Sequence, residues 1–259
     1  MPRRTTTTVA CWVSVAPVSA ARTPPLPLVL VTGFGPFEKR RFNPSRVVAA
    51  ALERQPPRGV RVLARELPVS FRGAPREVER FVARHARQQP VLLLGLGVQR
   101  ASWFRFEQRA RGVFSTERVD NDGVAGAELG ARVGPTLHTA LDVRRLARLL
   151  REAGAHDVRL SNDAGGYVCE RTYHALLSAG REHGIPAVFL HVPPAAAVPS
   201  RKQTQLVRAL LRAWFAQPHV RANVRFSAKV RSAGALRSPS APTPRTRGTR
   251  RRTRARRAP

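Results

Sequence analysis

Two rhythms of apolar and polar positions alternate along most of the chain. "PLVLVTGF", from Pro27 to Phe34, is a continuous apolar run stopped by glycine and predicts a strand buried on both faces. "NPSRVVAAALERQ" then returns apolar residues at helical spacing, with Asn43 placed to cap the helix and Pro44 in its first turn. The pair repeats as the strand "VRVLARELPV" and the amphipathic helix "APREVERFVARHARQ", followed by the strand "PVLLLGLG". After an irregular middle come the helix "DVRRLARLLREAG", closed by Gly154, and the strand "DVRLS". A helix holding Tyr173, Leu176 and Leu177 leads through "HGIP" into the strand "AVFLHV", and a last helix lies near "QTQLVRALLRAWFA". This alternation predicts a single three-layer α/β/α domain, its mostly parallel, twisted sheet covered on both faces. In such sheets, sites gather beyond the carboxyl ends of the strands.

The rhythm runs from residue 27 to residue 217 and sets the expected limits of the domain. Residues 1–26 join "MPRRTTTT" to a short apolar stretch interrupted by Pro17 and read as a disordered extension. A basic start and small residues before Arg22 also give them a faint likeness to a secretory signal. Residues 218–259, rich in arginine and proline with little to bury, read as a disordered tail. The net charge of +30 raises nucleic-acid binding as a function class. Its distribution weakens that reading: Glu182 is the last acidic residue, and the 31 residues from Lys229 carry eleven positive charges. Only three of the 46 basic residues are lysines, a bias that coding-DNA composition explains as readily as phosphate contacts do. Nonspecific polyanion binding through the tail follows from charge alone. No apolar run approaches the roughly eighteen residues of a membrane span. Two cysteines build no disulfide framework, sit at no metal-ligand spacing and suit a reducing, cytoplasmic compartment.

Four segments sit beyond expected strand ends: "TGFGPFEKRRFNPS", "GLGVQRASWFRFEQRARG", "SNDAGGYVC" and "HVPP". Together they supply Phe34, Phe37, Glu107, Cys169 and His191, the inventory of a thiol hydrolase with an apolar pocket. Cys169 falls where a strand turns into a helix, and the unpaired N–H groups of a helix start favour a thiolate. Gly165 and Gly166 let the loop turn sharply and bring its backbone close to a substrate, and with Leu96 are expected to bind it; amides beside the cysteine are placed to hold an oxyanion. His191, ahead of two prolines, is the candidate to take the thiol proton and return one to a leaving amine. Glu107 would orient the imidazole. Each has a plainer reading: an inert buried cysteine, a structural histidine, an exposed ion pair. Glu117 and Glu128 compete with Glu107 in the same region. His174, five residues after Cys169 on a helix, points to a different face.

These segments resemble the pyroglutamyl-peptidase I (pyrrolidone-carboxylate peptidase) family, cytosolic cysteine peptidases that remove an N-terminal pyroglutamyl residue from peptides. "VLVTGFGPFEKRRFNPS" is similar to the family's T-G-F-x-P-F…N-P-[ST] opening, and "SNDAGGYVC" to its A-G-x-[FY]-[VL]-C signature. "FLHVP" resembles the histidine segment, and "RVDNDG" is loosely similar to I-P-D-N-x-G. The likeness implies a phosphorylase/hydrolase-like fold, with Cys169 as nucleophile, His191 as base, Glu107 as third member, and Phe34 and Phe37 around the pyrrolidone ring. It also implies a peptide substrate and homo-oligomers; no cofactor is expected, since a nucleophile, a base and backbone donors suffice for acyl transfer. Departures are local. Leu96 stands where the family has a glutamine, and one extra residue separates Gly95 from Glu107. Glu170 follows the cysteine where asparagine is usual, opposing a thiolate unless Arg171 or another arginine offsets it. "EQRARG" replaces E-R-V-A-x-N.

Three function classes therefore stay open. One is a cysteine omega-peptidase working through a thioester. A second is a related thiol hydrolase with an altered substrate, or an inactive homologue, because of Leu96 and Glu170. The third is a basic nucleic-acid-binding protein.

Overall fold

The alternation in the sequence becomes β1 (Leu28–Phe34), α1 (Pro44–Arg54), β2 (Arg61–Leu67), α2 (Gly73–His85) and β3 (Leu92–Val98). Next come β4 (Phe104–Glu107), the short pair β5 (Arg109–Ala110) and β6 (Leu137–His138), and α3 (Val143–Glu152). The last described elements are β7 (Val158–Ser161), α4 (Val168–His183), β8 (Ala187–Val192) and α5 (Ser200–Ala216). This computed structural model describes residues 25–38, 42–114, 116–130, 132–218 and 220. The expected N-terminal extension with its signal-like stretch, and nearly all of the expected tail, lie outside the described residues. Among those described, no helix is long and apolar enough to cross a membrane.

Six strands form one sheet in the order β2-β1-β3-β8-β4-β7. Strand parity divides the core in two. Val29, Val31, Leu94, Leu96, Val188 and Leu190 pack toward α1, α3 and α5. Leu28, Leu30, Leu93, Ala187 and Phe189 pack toward α2 and α4. Each fully buried leucine or phenylalanine contributes about 1.5–3 kcal/mol, so both faces of the sheet must be covered. The result is the mostly parallel three-layer α/β/α architecture that the pattern predicts.

One part of the reading needs correction. The middle segment is not an irregular extension of β3: residues 104–107 form β4, inserted beside β8. β4 pairs antiparallel with β8, Arg105 opposite His191 and Glu107 opposite Phe189, and parallel with β7. β4 and β7 thus run against the other four strands, and the segments around Glu107 and Cys169 do not leave the same sheet edge as those after β1, β3 and β8. The physical reason is alternation over only four residues. Phe104 and Phe106 enter the core beside α3, leaving Arg105 and Glu107 on the opposite face.

Candidate active site

The exit of β1 is held by the start of α1. Asn43 caps that helix, its Oδ1 accepting from the Ser45 amide (3.1 Å) and hydroxyl (2.8 Å). Its Nδ2 donates to the Gly35 carbonyl at 3.0 Å, and the Phe34 amide donates to Ser45 Oγ at 3.0 Å. The last two bonds tie the "TGFGPF" and "NPS" halves of the motif together. They also fix Phe34, which is buried; Phe37, further along the segment, is half-buried.

The "RVDNDG" loop closes over the same place. Asp120 accepts from the amides of Phe71 (2.7 Å), Asp122 (2.9 Å) and Val124 (3.0 Å), and Asn121 Nδ2 donates to the Pro36 carbonyl (2.9 Å). Knitted this way, the loop delivers Arg118, whose guanidinium lies 4.5 Å from the Phe37 ring centroid and 4.8 Å from that of Tyr167. Arg118 also pairs with Glu38 at 2.8 Å.

Cys169 sits in the first turn of α4, after Gly165 (φ +89°) and Gly166 (φ +42°), conformations that side chains other than glycine rarely adopt. Its sulfur rests on the backbone of β3: a Cβ built on Gly97 would stand 3.0 Å from Sγ. The residue is half-buried and lines a cleft, its sulfur closely surrounded by protein. Burial pushes the thiol from its ordinary 9.0 up to about 12; the Glu107 charge pushes the same way, Arg105 and Arg118 oppose it, and Glu170 adds slightly. Burial thus works against the lowered pKa expected from the helix start. A helix terminus is worth about 0.3–1 kcal/mol, under one pKa unit, and desolvation exceeds it.

Glu170 is fully buried and does not point at the sulfur's partners. Its Oε1 accepts from the Gly112 amide at 2.8 Å, joining α4 to the segment after β5. Burial raises its pKa, against the hydrogen bonds from Gly112 and Arg111 and the Arg111 charge. Arg111, rather than Arg171, is the arginine that answers it. Arg111 in turn pairs with Asp163 at 2.6 Å, and Asp163 accepts from the Gly165 amide at 2.8 Å.

His191 and Glu107 form a buried pair, Nδ1 to Oε1 at 2.8 Å, with 3% and 0% of their surfaces exposed. Parity puts both on the α4 side of the sheet, the side of Cys169: their neighbours Leu190, Val192 and Phe106 all face the opposite core. In the β3–β8 pairing His191 lies opposite Gly97, the same glycine on which the sulfur rests. The carboxylate acceptor assigns the proton to Nδ1 and leaves Nε2 as a lone-pair acceptor. Burial lowers the pKa of His191; the hydrogen bond and charge of Glu107 raise it, and Arg105 lowers it again. At neutral pH the site thus holds a neutral imidazole beside a neutral thiol.

A cleft of about 370 Å³ opens at Cys169, lined among others by Phe34, Phe37, Phe42, Arg118 and Tyr167. Its size and aromatic walls suit a small, flat acyl group. Of the residues singled out from sequence, Cys169, Phe34 and Phe37 line it, whereas His191 and Glu107 lie in the interior. Gly165 and Gly166 shape the loop without lining the cleft. Leu96 is fully buried in the core beside α1, α3 and α5, so the side chain at that position faces away from Cys169. From the same segment Val98, Gln99 and Arg100 reach the cleft instead. His174 meets the Pro135 carbonyl at 3.0 Å, apart from the pair. Sequence reasoning missed Arg105, Arg118 and Gly97, whose roles arise from partners distant in the chain. The alternation around Gly95 and Gly97 was the available sign that Leu96 points elsewhere.

A model of the pyroglutamyl peptidase family matches residues 28–210. Pyrrolidone-carboxylate peptidase 1 of Ralstonia nicotianae is 31% identical over 172 residues, 65% of this chain and 79% of that protein. The pyrrolidone-carboxylate peptidase of Gloeobacter violaceus is 33% identical over 168 residues, 64% and 80% of the two chains. The crystal structure of pyroglutamyl peptidase I from Bacillus amyloliquefaciens shares the fold, with a TM-score of 0.64 at 20% identity over 72% of this chain and 95% of that one. That of pyrrolidone carboxyl peptidase from Thermus thermophilus gives 0.58 at 28% identity, over 71% and 98%. The chain belongs to the pyroglutamyl peptidase family.

Proposed function

We propose that the protein is a cysteine omega-peptidase that releases N-terminal pyroglutamate from peptides, with Cys169, His191 and Glu107 as its catalytic groups. The observation that carries this reading is the meeting at Gly97: the sulfur rests on this residue, and His191, bound to Glu107, is its cross-strand partner. Nε2 of His191 takes the thiol proton as Sγ attacks the pyroglutamyl carbonyl carbon. The oxyanion is met by the Val168 and Cys169 amides at the start of α4, ahead of the Glu170 and Arg171 amides that already donate to the Tyr167 carbonyl. Collapse breaks the C–N bond, and the imidazolium gives its proton to the leaving amine. Water, deprotonated by the same nitrogen, then cleaves the thioester and restores the thiol. Glu107 stabilises the imidazolium in both halves. Phe34 and Phe37 supply the apolar walls for the lactam ring.

The test is hydrolysis of a fluorogenic pyroglutamyl amide beside amides of other small acyl groups. Turnover that prefers pyroglutamyl and vanishes in Cys169→Ala supports the proposal. A preference for another acyl group supports a related thiol hydrolase. One observation favours that second reading: Arg118 spans Phe37 and Tyr167, setting a guanidinium where an aromatic face would meet the ring.

A cytoplasmic location, homo-oligomers and nonspecific polyanion binding through residues 218–259 complete the proposal. The first rests on the sparse cysteines, the second on the family resemblance and the third on the net charge of +30.

A further inference from the structure

The Glu107 carboxylate serves two donors with one oxygen. Its Oε1 accepts from His191 Nδ1 at 2.8 Å and from Arg105 Nε at 2.7 Å, while Oε2 has no hydrogen-bond partner among the described residues. Arg105 lies two residues before Glu107 on β4 and directly across from His191 on β8, so the three side chains share one face of the sheet. Arg105 Nη2 comes within 3.4 Å of His191 Nδ1. Since Nδ1 carries a hydrogen toward Glu107, that contact sets donor against donor. It becomes repulsive when the ring takes a second proton.

We infer that Arg105 is a positioning residue: it holds the Glu107 carboxylate against Nδ1 of His191 and withholds part of that carboxylate's charge from the imidazole. The inference rests on the proposed roles of His191 and Glu107. A guanidinium stays charged at every relevant pH, so it neutralises Glu107 whether or not His191 is protonated. The imidazole then remains an uncharged proton acceptor in a buried site, where an unshared carboxylate would favour a resting imidazolium.

The surroundings offer no substitute charge. On β7, opposite Arg105, Arg159 is turned to Asp157 at 2.8 Å and to the Trp103 ring at 3.6 Å. From α4, Tyr173 donates to the Glu107 carbonyl at 2.9 Å, its hydroxyl kept protonated by burial. Glu170 is bound to Gly112, and Cys169 is a neutral thiol. On β8 the neighbour of His191 is the Phe189 ring, at 5.0 Å. Arg118, from the loop, stacks on Phe37 and Tyr167.

The test compares wild type with Arg105→Gln and Arg105→Lys, reading the His191 imidazole by nuclear magnetic resonance across pH in 15N-histidine-labelled protein. This readout needs no substrate, so it separates failure of this inference from failure of the peptidase reading. Arg105→Gln should raise the His191 midpoint by about one pH unit, and the acid limb of kcat/KM should rise with it. Arg105→Lys should stay near wild type, and serves as the test if the glutamine variant does not fold. For that purpose its amine is acetylated in a parallel sample, which should restore the shift. An unchanged midpoint on loss of the charge would overturn the inference. So would activity falling equally at every pH in step with the melting temperature.

Discussion

Gly97 of β3 and Cys169 of α4 approach so closely that one added methyl group on Gly97 would meet the sulfur at 3.0 Å and the Phe189 ring at 2.9 Å. The site depends on a bare stretch of backbone there. Gly97→Ala must displace the sulfur, the ring or both, and a misplacement of about 1 Å at a reacting atom costs about 100-fold. We expect kcat/KM to fall by that order, with a stability loss of about 1–3 kcal/mol from overpacking in chemical denaturation. Wild-type turnover in this variant would contradict the assigned geometry.

The two buried titrating groups make opposite demands on pH. His191 has its folded pKa below the ordinary 6.5, so below that value the unfolded chain binds a proton the folded chain refuses. Stability should therefore decline as pH falls from 6.5 toward the folded value. Cys169 has its folded pKa raised from 9.0 to about 12, so stability should decline again as pH rises through that window. Denaturation midpoints across pH check both arms. Iodoacetamide labelling of the free protein should be slow at neutral pH and should climb without a plateau through about pH 10, following the thiolate fraction. A plateau near neutrality would mean that a thiolate–imidazolium pair forms at rest.

Glu170→Gln keeps an acceptor for the Gly112 amide and removes a charge near the sulfur. Labelling should become modestly faster and turnover should not drop. Glu170→Ala, which leaves the Gly112 amide without that acceptor, should lose stability by about 1–3 kcal/mol. Equal loss of activity in both variants would give the Glu170 charge a role that its position does not explain.

Most of the architecture was legible because periodicity reports burial, and burial is what builds layers. Asn43 and Pro44 announced α1, and the unbroken apolar runs announced β1, β3 and β8. β4 was hidden because only four residues alternate, and the partner that Glu107 meets, His191, lies 84 residues away in the chain. Cys169 and His191 were singled out from local spelling, since a glycine pair and a proline pair mark them, whereas Glu107 had Glu117 and Glu128 as rivals and was singled out by the family resemblance. Arg105 and Arg118 have no such markers: each acquires meaning only from the ring or carboxylate that the fold brings beside it. The raised pKa of Cys169 was invisible for the same reason, desolvation being a property of everything packed around a group.

Phe37 lines the cleft with one face toward Arg118. Removing its ring should weaken substrate binding more than chemistry, raising KM for the pyroglutamyl amide about tenfold with kcat changed far less. Steady-state kinetics of Phe37→Ala decide this. A fall in kcat at constant KM would instead place Phe37 with the groups that act on the transition state.

The most direct measurement is turnover of a pyroglutamyl amide by the wild type beside Cys169→Ser, with both proteins shown to be folded by circular dichroism. The account requires that the wild type release free pyroglutamate and that the serine variant lose at least about 1,000-fold in kcat/KM, because His191 is matched to a thiol and not to a hydroxyl. Equal rates in the two proteins, or no release by a folded wild type, would contradict it.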